Sequence, residues 1–231
     1  MNYWNSCLAL VFVSVMYWGC AASSQDSPLV SRLDAMVADY ESARTLELKI
    51  EEGANFMLTH TDYHYDQMTK AIEDVSDEQL DVLIGWVEQK HPTLPAPVLV
   101  VSGLKLFPKN PQEGFKWAQL GYFKALYDSR RCTDPTSAPL LYQLVTRMQG
   151  DAKNYMTDQP EEYAAVRREA IRLFKAHHYH GSPLWICSHG ILAHDKANQK
   201  TPFKALISPE SEWEATFQKT IESVSAAESS K

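Results

Sequence analysis

From Val30 to Val224 the apolar side chains recur every three or four positions, and a chain spaced in that way buries helix faces against helix faces. Val30, Leu33, Val37 and Tyr40 form one stripe; Leu46, Ile50, Ala54, Met57, Thr61, Tyr65, Met68 and Ile72 form a longer one. Leu141, Leu144, Val145, Met148, Ala152 and Tyr155 make a third, Tyr163, Val166, Ala170, Phe174 and His177 a fourth, and Trp213, Phe217, Ile221 and Val224 the last. Start and stop signals punctuate them. Ser76-Asp-Glu-Gln79 reads as a capping box before Leu80, Leu83, Ile84 and Val87, and His91-Pro92 ends that helix. Asn110-Pro111-Gln-Glu113 combines a capping Asn, a first-turn Pro and a Glu three residues on. Gln159-Pro160 and Ser208-Pro209 open two more. The helix begun at Asn110 is apolar on most sides from Phe115 to Tyr127, which places it at the centre.

The exception to the spacing is the continuous apolar run from Pro97 to Gly103. Its length suits a buried strand or a buried helix, but a lone strand would leave its backbone groups unpaired, so a helix is expected. Glycine supports an all-helical reading. There are 9 in 231 residues, about 4% against a usual value near 7%, which leaves little material for tight hairpins or phosphate-cradling loops. The expected architecture is all-α: a single irregular bundle of seven or eight helices over residues 28–225, stapled by one disulfide, with a disordered tail at 226–231.

The first 25 residues carry no charged side chain. Residues 8–17 are an apolar run of signal-peptide length, too short to span a bilayer comfortably. Gly19-Cys20 at its end resembles the lipobox of bacterial lipoproteins, although Tyr17 and Trp18 stand where such boxes carry Leu and a small residue. The resemblance implies cleavage before Cys20 and lipidation of that cysteine. Cleavage after Ala22 would instead release a soluble secreted protein. The leader is thus assigned to residues 1–22, and the expected location is the periplasm, with a lipid tether to a membrane.

There are four cysteines. Cys7 leaves with the leader, and Cys20 is lipidated or discarded. That leaves Cys132 and Cys187 in an oxidising compartment, where a bridge between them is expected.

Signals for chemistry are sparse. His60 and His64 lie one helical turn apart and could share a metal ion. Five of the eight histidines fall between His177 and His194. A zinc site drawing on His60 and His64 with His189, His194 or Asp195 is chemically sensible. The competing reading of these histidines is structural, at helix faces and a helix C-terminus. Cys187-Ser188-His189 does not read as a nucleophile, because positions two apart do not face each other on a helix. Arg130 and Arg131 sit in a charged junction, Asp128 to Ser137, in which Thr136 or Ser137 should cap the next helix. The Arg pair is a candidate contact for an anion or a partner. Trp117, Tyr122, Phe123 and Tyr127 could line a ligand site but fit a core better.

A net charge of −7 argues against nucleic acid as a partner. The sequence therefore points to an exported bacterial envelope protein of accessory or immunity type, non-enzymatic, that binds another protein. The alternative is a metal-dependent hydrolase with the histidine-rich site and zinc as its cofactor.

Overall fold

The computed structural model describes residues 27–47, 60–177, 179, 181–194 and 202–229. These form ten α-helices, eight of them of seven residues or more: α1 (Pro28–Glu47), α2 (His60–Glu73), α3 (Leu80–Lys90), α4 (Ala96–Leu106), α5 (Pro111–Arg130), α6 (Pro139–Asp158), α7 (Pro160–Ala176) and α10 (Trp213–Ser229), with the single turns α8 (Leu184–Cys187) and α9 (Ile191–His194) between α7 and α10. The all-α bundle expected from the spacing is what forms, and the apolar run from Pro97 to Gly103 is helical, within α4. The last helix continues past residue 225 to Ser229. No helix among the described residues is long and apolar enough to cross a membrane.

Local signals act largely as their residue types dictate. The Glu113 amide donates to Asn110 Oδ1 at 3.2 Å, capping α5. The Ser76–Gln79 box opens a 3₁₀ turn that runs into α3. One expected cap is corrected: Asp134, not Thr136 or Ser137, is the capping side chain after α5. Its Oδ1 accepts from the Thr136 amide at 2.9 Å, and a 3₁₀ turn (Pro135–Ser137) intervenes before α6. A carboxylate there is the stronger acceptor for an exposed amide. The other Asp134 oxygen accepts from the Leu192 amide at 2.8 Å, so the same residue fixes the start of α9.

The axis of the bundle is α5, which packs against α4, α6, α7, α8 and α10. Helix α4 lies beside it with every residue from Ala96 to Gly103 buried. Three glycines permit this approach. A Cβ on Gly103 would stand 2.4 Å from the Ala118 nitrogen, one on Gly114 2.5 Å from the Phe107 Cα, and one on Gly121 2.7 Å from Val100 Cγ2. Scarce glycine is spent on contact between helices, and among the described residues no backbone has a positive φ.

Two apolar clusters flank this axis. The larger joins α1–α5, α7 and α10, with Leu33, Ile72, Leu83, Leu120, Phe123 and Phe174 at its centre. The smaller gathers Ala125, Met148, Trp185, Ile186, Cys187, Phe203 and Leu206. Cys132 and Cys187 are bonded within it, with S–S 2.11 Å. Polar ties hold the outer helices. Asp34 of α1 accepts from Trp86 Nε1 at 2.9 Å and from Lys90 Nζ at 3.2 Å, both on α3. Arg167 of α7 reaches Gln119 of α5 at 3.0 Å and the Val224 carbonyl of α10 at 3.2 Å.

Candidate binding cleft at the end of the central helix

Near its C-terminus α5 places Lys124, Asp128 and, just past its last turn, Arg131 on one side. Spacings of four and three residues put the three groups on one helix face. Opposite stands α1 with Tyr40, Glu41 and Arg44. The α3–α4 connection (Pro92 to Pro95) and the segment from Tyr179 to Trp185 close the ends. Together they line a cleft of about 480 Å³. That volume lies within the range of small-molecule sites.

The walls hold more charge than a protein interior normally tolerates. Lys124 is 5% exposed, Asp128 5% and Arg131 1%. Lys124 Nζ donates to the Leu94 carbonyl and lies 4.1 Å from the centre of the Tyr179 ring. Burial pulls its pKa down from 10.5 to about 7, against the opposing pull of the Asp128 carboxylate. Asp128 is satisfied on both oxygens: Arg131 Nη2 donates to Oδ1 and Trp185 Nε1 to Oδ2, the latter at 2.7 Å. The Arg131 guanidinium is held between the Tyr127 ring, 4.2 Å away, and the Trp213 ring, 4.4 Å away. Burial raises the hydroxyl pKa of both Tyr127 and Tyr179 above the ordinary value.

Several donors in this wall lack an acceptor. Arg131 Nε and Nη1, Arg44 Nε and the Tyr179 hydroxyl are buried without a hydrogen-bond partner. Arg44 is otherwise engaged through Nη2 with Glu41. A buried unpaired donor costs about 1–3 kcal/mol, more when charged. Four such atoms belong to three of the residues that line the cleft, and none of the four has surface open to it.

The residues singled out in the sequence are distributed differently. Arg131 lies in this cleft. Arg130, its neighbour, points to α10, where it donates to the Lys219 carbonyl, Thr220 Oγ1 and Ser223 Oγ at 3.1–3.3 Å. The two arginines therefore do not act as a pair; successive helical positions diverge by about 100°. Trp117, Phe123 and Tyr127 are buried in the large core, and Tyr122 is half-buried against it.

His64 is half-buried on α2, its ring 5.4 Å from that of Tyr63. His189 follows α8, with Nδ1 3.3 Å from Ser188 Oγ. The side chains of His60 and His194, and all of Asp195, lie outside the described residues, as do Cys20 and the leader. Among the described residues no group of three or more His, Cys, Asp or Glu is placed to hold a metal ion.

Sequence reasoning passed over Lys124, Tyr179, Arg44 and His91. Lys124 had a usable signal: a lysine on a helix apolar on most sides must be buried or break the pattern. His91, at the end of α3, packs against His177 (4.9 Å) and Trp117 (5.3 Å). Its Nδ1 lies 2.8 Å from the Glu88 carbonyl, and its Nε2 is buried without a partner. Burial, foremost, holds its pKa below the usual 6.5.

Comparison with family models, with curated proteins and with solved structures finds no match to this chain.

Proposed function

We propose that this chain is an exported domain of the bacterial cell envelope that binds another protein, held near a membrane by a lipid on Cys20, and that a segment of the partner enters the cleft between α1 and α5. The carrying observation is the cleft itself, about 480 Å³ and walled by Arg44, Lys124, Asp128 and Arg131 together with Tyr40 and Trp185. Such an arrangement suits holding a ligand. Charged groups held in a low-dielectric wall favour an occupant with complementary polar groups.

Export is supported by the apolar run of signal-peptide length at residues 8–17 and by the Cys132–Cys187 bridge, since structural disulfides persist where thiols oxidise. Periplasmic residence follows from the same two features, with free secretion as the outcome if Cys20 is discarded rather than lipidated.

The reading is tested in cells by two measurements. Metabolic labelling with a radioactive fatty acid should mark the wild-type chain and not Cys20→Ala. A photo-crosslinking residue at Thr93, exposed beside the cleft, should give a discrete adduct with an envelope protein, while one at Lys109, exposed elsewhere, should not. Recovery of the intact protein from the cytosol with Cys132 and Cys187 both alkylated would refute export. Adducts that do not discriminate between the two positions would refute use of the cleft.

A further inference from the structure

We infer that His91 and His177 form an acid-sensitive latch between the end of α3 and the end of α7: while His91 is neutral the two rings stay packed and the Tyr179 wall of the cleft is held shut, and uptake of a proton by His91 parts them and loosens that wall. This rests on the reading of the cleft as the binding site and names what regulates access to it.

A line of rings ties the pair to the cleft. Trp117 of α5, His91, His177 and Tyr179 follow one another with centroids 5.3, 4.9 and 6.4 Å apart. Tyr179 lines the cleft, and so do Pro92 to Pro95, which directly follow His91. The two histidines therefore adjoin two of its walls.

The ring of His91 is set up to resist a proton. A carbonyl oxygen can only accept, so the 2.8 Å contact between His91 Nδ1 and the Glu88 carbonyl puts the proton of the neutral ring on Nδ1. Nε2 is then the lone-pair nitrogen, buried and without a partner. Protonation turns it into a charged donor that faces no acceptor among the described residues, and a buried charged donor left unpaired costs more than a neutral one.

The surrounding charges add to that cost. His177 stands beyond α7, and α5 presents Lys116 and Lys124; all three act against a cation on His91. The nearby carboxylates are engaged with lysines. Glu88 of α3 lies 3.8 Å and Glu113 of α5 2.7 Å from Lys116 Nζ, and Asp34 of α1 holds Lys90 at 3.1 Å. Burial is the foremost cause that keeps the His91 pKa below 6.5, so the latch is shut at neutral pH and parts in acid.

The end of α7 is the side that yields. Trp117 is 2% exposed on the central helix and cannot withdraw. His177 is half-buried, in extended backbone past the last turn of α7. Outside the helices no backbone hydrogen bond joins Tyr179, Gly181 or Ser182 to another described residue. Their hold comes from side chains: Tyr179 stacks on Phe174 at 5.6 Å, with Lys124 Nζ over its ring. Segments with few backbone bonds open at less cost than packed helices.

Hydrogen exchange with mass spectrometry on the purified, disulfide-bonded protein tests the latch at pH 7 and pH 5, with rates corrected for the slower intrinsic exchange in acid. The peptide spanning 174–185 should lose about tenfold in protection between the two, and the peptide spanning α4 clearly less, as local opening requires. His91→Phe keeps a ring in place and removes the proton site, so its 174–185 peptide should hold nearly the same protection at both values. His177→Phe keeps the ring contact and removes one opposing charge, so the His91 signal in an NMR titration should move up from its wild-type midpoint, which itself lies below 6.5.

Equal protection at both pH values, an equal loss in 174–185 and in α4, an undiminished loss in His91→Phe, or a wild-type His91 midpoint at or above 6.5 overturns the inference. The midpoint is read on the wild type, so it decides even where a variant fails to fold. The crosslinker at Thr93 separates the latch from the binding reading. An envelope adduct with no opening in acid keeps the binding function and removes the latch; opening in acid with no adduct at either pH keeps the latch and refutes the binding reading.

Discussion

Replacing Gly103 by Ala sets two known effects against each other. Within a helix, Ala is favoured over Gly by about 1 kcal/mol. The structure opposes that gain. The new Cβ would meet the Ala118 nitrogen at 2.4 Å, the Gly114 carbonyl oxygen at 2.5 Å and the Ala118 Cβ at 2.7 Å. Ordinary contacts of this kind lie at about 3.5–4.0 Å, so α4 and α5 must part by about 1 Å locally. Two of the three obstacles are backbone, and α4 is buried along its whole inner length, so no flexible side chain can yield. Overpacking of that kind costs about 3 kcal/mol, the upper part of its usual range. The net loss is then about 2 kcal/mol, which urea denaturation would report as a midpoint about 1 M lower for an m-value near 2 kcal/mol/M. Gly121→Ala is the internal comparison. Two of its three obstacles are again backbone, but all stand further off: Val100 Cγ2 at 2.7 Å, and the Ala96 carbonyl oxygen and the Val100 nitrogen at 2.8 Å. That variant should lose about half as much, about 1 kcal/mol. An unchanged or higher midpoint for Gly103→Ala, or a larger loss for Gly121→Ala, would refute the account of how these helices meet.

Removing the bridge with Cys132→Ala and Cys187→Ala together opens a loop of 55 residues and should cost about 4 kcal/mol in urea titrations, whereas a loss below about 1 kcal/mol would contradict a staple acting on the unfolded chain. Lys124 should make the fold firmer in base. An unfolded lysine keeps its proton to about pH 10.5 and the folded one only to about 7, so between those values the unfolded chain binds more protons and stability climbs with pH. Lys124→Met should flatten that climb, on the order of a few kcal/mol, in denaturation curves taken at pH 7 and pH 10; an unaltered slope would place the charge elsewhere. His91 acts at the acid end. Because its folded pKa lies below 6.5, stability contributed by the neutral ring is lost as pH falls from 6.5 toward that lower value, and His91→Phe should shrink the loss between pH 7 and pH 5 measured by thermal melts.

Local rules read from the sequence reached the helices and the bridge, and they stopped short of the cleft for a physical reason. Asn110, Pro111 and Glu113 announce α5 within four residues, because a cap is satisfied by near neighbours. The helical nature of α4 was legible by elimination, since its carbonyls and amides had no strand to pair with. The cleft draws Arg44, Lys124, Arg131 and Tyr179 from three distant stretches of chain, and no periodicity relates them. Arg131 stood out in the charged junction after α5, and Lys124, a charge set among Leu120, Phe123 and Tyr127, carried a signal of its own. The adjacent Arg130 and Arg131 looked like one feature in the sequence. In the fold they diverge, Arg130 bracing α10 at Lys219, Thr220 and Ser223 and Arg131 reaching Asp128 beside the cleft. In the sequence His177 stands among other histidines, yet the rings it meets are those of His91 and Tyr179.

Helix α4 also bears on how the chain is made. Its eleven residues extend about 16 Å, roughly half the hydrocarbon thickness of a bilayer. In the export proposed above, a translocation channel would thus meet a stretch oily enough to attract chaperones but too short to be released sideways into lipid as a stop-transfer anchor. Only four residues separate it from α5, so its cover is made almost at once after it, and a long insertion in that connection would lengthen the interval in which the bare rod invites aggregation.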